Sequence, residues 1–438
     1  MAIQHDTSVR KWLVLVASFF NMFFCAGFPF NMSVLNTEFL RVFERSKAET
    51  ALVQSVISGT LLIAGYPCGQ SVNRFGVRKM GILSGLLASV GLSVSFFATS
   101  IPYLVITVGI ITGLGLSLAF VASTTATGEY FTGNARHLAL SFVACGSGCG
   151  SMVFPYLLDR LISVFGWRGC LLIVGGLMAN MIWLFAICKP LTVGLAQSKY
   201  VQSNKSNLKP HQINDTGLNT SNGHTHCCMK LVLLSKSYDF IIYILGMTCT
   251  FPAFICILIY IIEFLKTKSF DSEEALLLYL FMNVANTLGR MIPGLCKYIP
   301  HVSSLVIPAL TTIISCISTV GLLFANTYKQ HLLLMCGFGL AIGSNVTVMS
   351  MTTIKLVGLA NYSVGVGILM TVTGVSSVCA GTISGWLLDL TGTYTVAYYS
   401  AAASHGVAVC LFCLAALIRK HNQLTSDKYH LGDSVDGP

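Results

Sequence analysis

The chain has 438 residues, of which 54% are apolar and 10% charged, and its formal net charge is +10. A soluble globular domain carries roughly 25% charged residues, so a surface this poor in charge is excluded for a chain living in water. The positive charge is modest and spread over connecting segments, which argues against a nucleic acid partner and leaves a lipid bilayer as the expected surroundings.

Apolar runs of spanning length recur along the chain. A hydrocarbon core takes about 20 residues of helix. Lipid offers no partner for free backbone groups, so such runs must be helical. Spans are expected at 12–34, 50–72, 80–99, 101–126, 138–158, 168–188, 238–262, 275–295, 302–325, 331–352, 362–388 and 395–418. The first run, from Trp12 through Phe30, shows no short core followed by a small-residue cleavage pattern. It reads as a retained helix and not a signal peptide. Between the sixth and seventh spans lies a stretch rich in Asn, Ser, Thr and Lys without an apolar period, read as a flexible linker. The expected organisation is an N-terminal segment 1–11, a six-helix half 12–189, a linker 190–237, a second six-helix half 238–418 and a tail 419–438. The fold class is an all-α polytopic membrane protein.

Charge placement tests this map. With the N-terminus inside, the cytoplasmic segments hold Arg10, Lys11, Arg74, Arg78, Lys79, Arg136 and the linker lysines. They carry about twice the Lys and Arg of the opposite segments, the direction of the positive-inside rule. Both termini and the linker are therefore expected in the cytoplasm. The acceptor sequences at Asn204, Asn214 and Asn219 lie in that linker and are expected to be unused for glycosylation. The halves also echo each other. The fifth span ends Pro155-Tyr-Leu-Leu-Asp159 and the eleventh ends Gly385-Trp-Leu-Leu-Asp389. Glycines cluster in the fourth and tenth spans and again in the fifth and eleventh. Any membrane bundle packs through such residues, but their recurrence at matching positions points to duplicated halves, as in many secondary transporters.

The connection between the second and third spans reads Gly69-Gln-Ser-Val-Asn73-Arg74-Phe-Gly76-Val-Arg78-Lys79. Gly76 permits a tight turn. The cations can pair with carboxylates or with helix C-terminal ends, or serve as a plain positive-inside anchor. The run resembles the signature loop of the major facilitator superfamily, Gly-x-x-x-Asp-Arg-x-Gly-Arg-Arg, with Asn73 in place of the aspartate and Val77 in place of a basic residue. Further on come Tyr130-Phe131, Arg136-His137-Leu138-Ala139, Cys145-Gly146-Ser147, Gly150, Gly166-Trp167-Arg168-Gly169 and Gly175-Gly176. This ordered set is similar to the monocarboxylate transporter family. The likeness is clearest over 60–190 and returns in the eighth and eleventh spans. It implies a major facilitator fold, a small organic anion as substrate, a plasma membrane location and an ancillary single-span membrane protein as partner. It also implies a gating role for Asn73, Arg74, Arg78 and Arg136.

The eighth span holds Asn283, Asn286 and Arg290, whose spacing puts all three on one helix face. A charge at membrane depth costs at least about 2.5–3.5 kcal/mol on insertion scales, so it normally lines a cavity. A guanidinium stays charged and grips a carboxylate through two parallel hydrogen bonds. The alternative is an arginine reaching the surface near the helix end at Cys296. The resemblance implies that Arg290 takes the substrate carboxylate. In proton-coupled relatives an aspartate stands where this chain has Asn286, and a lysine follows a Phe-Pro pair where this chain has Phe28-Pro29-Phe30. Proton coupling by that pair is thus not expected, and Phe30 would offer an aromatic wall to a larger carboxylate.

No cofactor is expected. The sequence has no Gly-rich phosphate loop. The run His224-Thr-His226-Cys227-Cys228 is poor chelating geometry, so no metal is expected there, and lipid attachment fits it better. No Ser-His-Asp or metal-catalytic spacing shares a face, so the chain is not read as an enzyme. The expected function is transport of a small organic acid by alternating access. A membrane sensor or scaffold that kept the fold is the alternative.

Overall fold

The computed structural model describes residues 2–44, 47–188, 238–296 and 306–432. The linker, its acceptor asparagines and the His224–Cys228 run lie outside these. Fifteen α-helices follow one another, with no strand among the described residues. They are α1 (Ala2–Gly27), α2 (Ser33–Phe43), α3 (Lys47–Ile63), α4 (Gly65–Phe75), α5 (Val77–Val94), α6 (Ile101–Leu104), α7 (Gly113–Tyr130) and α8 (Gly133–Ile187). After the linker come α9 (Tyr238–Thr267), α10 (Ser272–Gly289), α11 (Ile292–Cys296), α12 (Val306–Phe324), α13 (Tyr328–Val357), α14 (Tyr362–Thr391) and α15 (Tyr394–Gly432).

Among the described residues, ten helical stretches are long and apolar enough to cross a membrane. An eleventh span comes from α3 and α4, bent by 47° where Ala64 leaves helical geometry. The twelfth comes from α8, whose 55 residues turn back on themselves at Gly166 (φ 66°, ψ 172°). A residue with a Cβ rarely adopts that conformation, so the glycine of Gly166-Trp-Arg-Gly makes the hairpin between the fifth and sixth spans. The twelve spans are thus those expected from the sequence.

Four local features depart from the expected map. The first span stops at Phe28, because Pro29 has no N–H to continue the ladder. A short helix, α2, then occupies what looked like loop; Arg41 there is fastened to Glu38 by a hydrogen bond of 2.6 Å. The fourth span contains a π-helical stretch, Val105–Thr112, between α6 and α7. The last helix runs on to Gly432, past the expected start of the tail.

One core, around Phe28, Phe39, Phe154 and Trp167, runs through the first half and takes in Tyr243, Tyr362 and Phe412 of the second. A second core, around Phe254, Phe264, Phe338 and Tyr398, belongs to the second half. Large apolar side chains such as Trp183 (75% exposed) and Leu333 (74%) point outward. A water-soluble protein rarely shows so much apolar surface; hydrocarbon solvates it. This is a multi-pass membrane protein.

Candidate transport site

Helix α10 opens with a capping box, in which Asp271 and Glu274 satisfy each other's backbone N–H groups. It ends at Gly289, with Arg290 as C-cap, and Pro293 cannot donate to a continued ladder. Two neighbours hold this helix. From behind, Gly343 of α13 lies directly against the Asn286 carbonyl, leaving no room for a side chain, and Ser344 Oγ donates to the Gly289 carbonyl at 2.8 Å. From the front comes the first limb of α8, which belongs to the other half of the molecule.

Arg290 sits where α10 meets α8. Only 7% of it is exposed, so it does not reach the surface near Cys296. Its Nη1 donates to Ser147 Oγ at 2.7 Å and its Nε donates to Asn286 Oδ1 at 3.2 Å. Thr287 extends the joint. Its carbonyl accepts from the Cys145 thiol at 3.5 Å, its hydroxyl approaches Met152 Sδ at 3.6 Å, and its side chain fills the space left by Gly148. One turn earlier, Asn283 Nδ2 donates to the Tyr279 carbonyl at 3.1 Å. Both neighbours bound to the guanidinium are neutral. The ionisable groups close enough to act on it are the thiols of Cys145 and Cys149. No carboxylate among the described residues comes within ion-pair distance of it. The positive charge of Arg290 therefore has no carboxylate counter-charge among the described residues.

A second seam joins the halves between α4 and α14. The Tyr66 N–H donates to Thr371 Oγ1 at 2.9 Å, and that hydroxyl donates to the Ile63 carbonyl at 2.8 Å. Gly65 meets Gly367, and Gly69 meets the Ser363 carbonyl, so closely that any side chain would force the helices apart. Thr125 of α7 and Ser363 share a hydrogen bond of 3.2 Å. Apart from the Thr125–Ser363 bond, the hydrogen bonds and glycine contacts of the two seams fall at 138–152 with 287–294 and at 59–69 with 363–378. These are the stretches of the four spans nearer the end of the bundle that carries both termini.

The other residues singled out in the sequence are not gathered with Arg290. Phe30 is 42% exposed, in the 3-10 turn after α1, and makes none of the ring contacts that join Phe23, Phe28 and Phe154. Asn73, Arg74 and Arg78 lie around Gly76 (φ 86°), which caps α4 by donating to the Val72 carbonyl. Arg74 covers the Phe75 ring at 5.3 Å. Arg136 Nε donates to the Phe131 carbonyl at 2.8 Å. Ser147 and Thr287 are the residues that sequence reasoning passed over. Ser147 stood in a quoted motif, but nothing in its neighbours tells which arginine it meets.

A family model described as Major Facilitator Superfamily matches residues 14–358. This chain belongs to the major facilitator superfamily. Its relatives there include monocarboxylate transporter 9 of Pongo abelii, 27% identical over 93% of this chain and 92% of that one. Monocarboxylate transporter 6 of Mus musculus is 27% identical over 91% of this chain and 85% of that one. At such identity the chain is a divergent relative of these transporters. Among solved structures, the major facilitator transporter FucP in the outward conformation superposes with a TM-score of 0.66, covering 92% of this chain and 98% of its own at 14% identity. That likeness speaks for the fold. The fold and the relatives make this chain a transporter of the superfamily.

Proposed function

We propose that this chain carries a small organic monoanion across the membrane, with Arg290 as the anchor for its carboxylate. The observation that carries the reading is a buried guanidinium with neutral partners only, standing in the seam between two halves. A buried charge normally finds a partner of opposite sign, and a substrate carboxylate would supply one. Asn286 holds Nε and Ser147 takes one hydrogen of Nη1, which leaves Nη2 and the other Nη1 hydrogen for the anion. The names of the relatives point to the same class of solute. Asn286 cannot titrate, so the carrier works without a proton on that side chain. The termini face the cytoplasm and the membrane is the plasma membrane in this reading, on the strength of the charge bias and the family.

Uptake of labelled pyruvate, phenylpyruvate and hippurate into proteoliposomes tests it. Arg290→Ala should lower uptake of the favoured acid at least about 100-fold, the scale of losing a buried charged hydrogen-bond pair. Equal uptake by variant and wild type removes Arg290 from the mechanism. Binding without flux would favour the sensor reading. Substrate-dependent change of luminal pH beyond that of the free acid would contradict proton independence.

A further inference from the structure

We infer that Asn283 selects the solute: among carboxylates this carrier prefers N-acylamino acids, whose N–H the Asn283 amide oxygen accepts, over analogues with a methylene in that place. The inference rests on the reading of Arg290 as the anchor and adds what the rest of the solute must offer. Asn283 shares its face of α10 with Asn286 and Arg290 and lies nearer the end of the bundle away from the termini. The hydrogen bonds and glycine contacts between α8 and α10 stop one turn before it, where Gly148 lies against Thr287 and the Thr287 hydroxyl approaches Met152 Sδ at 3.6 Å. Further out the same helices carry the exposed Asp159, Arg160, Glu273 and Glu274. Asn283 is half-buried at the point where the halves part. Its Nδ2 donates to the Tyr279 carbonyl at 3.1 Å. A carbonyl only accepts, so this bond fixes the sense of the amide. Oδ1 is left as an acceptor with no donor from the described residues. Thr287, the nearest hydroxyl on the helix, is turned to the Asn283 carbonyl at 3.0 Å, and Met152 has no donor to give. Helix geometry sets the spacing. Side chains lean toward the start of their helix, and Arg290 does so, its Nε reaching Asn286 Oδ1 at 3.2 Å. A carboxylate on that guanidinium lies near the level of Asn286, and Asn283 is three residues on, about 4.5 Å along the axis. Two hydrogen bonds of about 2.9 Å, with the short link from carboxyl to nitrogen between them, span that step. An amide N–H donates without accepting, which suits a lone acceptor. The acyl arm then extends outward past half-buried Tyr279 into the opening.

The test uses the full chain in proteoliposomes and two pairs of labelled acids that differ only by N–H against CH2. Hippurate is paired with 3-benzoylpropionate, and N-acetylglycine with levulinate. Well below saturation, the wild-type protein should take up the N–H member of each pair about three- to tenfold faster, the scale of one neutral hydrogen bond. Asn283→Leu keeps the shape and removes the acceptor, and should bring both ratios close to one. Asn283→Ala should do the same and serves where the leucine variant does not fold. Each ratio compares two acids on the same vesicles, so a smaller amount of folded protein does not alter it. A wild-type ratio of one in either pair would overturn the inference, as would the absence of uptake of both N-acyl acids. A preference that survives in the Asn283 variants would overturn it too. Failure of the underlying reading looks different: the N-acyl acids would then enter Arg290→Ala and wild-type vesicles equally.

Discussion

The two ends of the seams between the halves are built from different materials. At the terminus-bearing end the contact is tight and, apart from the Arg290 guanidinium on Ser147, neutral: Gly65 on Gly367, Gly69 on Ser363, Gly148 on Thr287, and the hydroxyls of Thr125 and Thr371. At the other end the same helices carry charge and stand exposed, with Asp159 and Arg160 on α8 and Glu273 and Glu274 at the start of α10. Neutral hydrogen bonds and close backbone packing contribute little each and break without stranding an ion. Charges in water keep their hydration until something draws them together. A molecule that must open one end while shutting the other is served by weak, additive contacts at the end now shut and by hydrated charges at the end now apart.

The largest effect on this comparison should come from Gly367→Leu. The side chain would meet the Gly65 carbonyl. Overpacking of this kind costs about 1–3 kcal/mol, enough to move the balance about 5- to 160-fold toward the form open at the terminus end. Spin-label distances between the two halves at that end would lengthen. An unchanged distance distribution would show that the glycine contact does not hold the end shut. Thr371→Val should act more gently. It removes the acceptor for Tyr66 N–H and the donor to the Ile63 carbonyl. At about 0.5–1.5 kcal/mol a bond, the same distances should shift in the same direction by a few-fold in population.

The smallest expected effect lies at the far end. The first limb of α8 runs antiparallel to α10 and α11, so stepping back from Gly148 to Ser141 steps forward from Thr287 to Gly294 by the same number of residues. Carried the other way, this register brings Arg160 within a side-chain length of Glu273 and Glu274 when the far end closes. Arg160→Glu should then slow transport about two- to fivefold, in line with the 0.2–1 kcal/mol of an exposed ion pair, and the effect should fade at high salt. A loss that persists in high salt would assign Arg160 another role. In this structure Arg160 Nε instead approaches the Tyr156 hydroxyl at 3.3 Å.

Much of this was written in the sequence. Length and apolarity of the runs fixed twelve spans, since hydrocarbon admits no other backbone arrangement for them. Pro29, Gly76 and Gly166 mark places where the helical ladder breaks for lack of an N–H or through positive φ. Spacing alone set Asn283, Asn286 and Arg290 on one face of one helix. Tertiary structure decided what that face meets. In lipid, residues toward the bilayer and residues toward a neighbouring helix are both apolar, so periodicity does not tell which face packs or on whom. That Arg290 finds Ser147, a residue far away in the chain and in the other half, and no carboxylate among the described residues, is a fact of three-dimensional packing. The proposed anion site is the consequence of that packing, because there the guanidinium is buried between neutral partners.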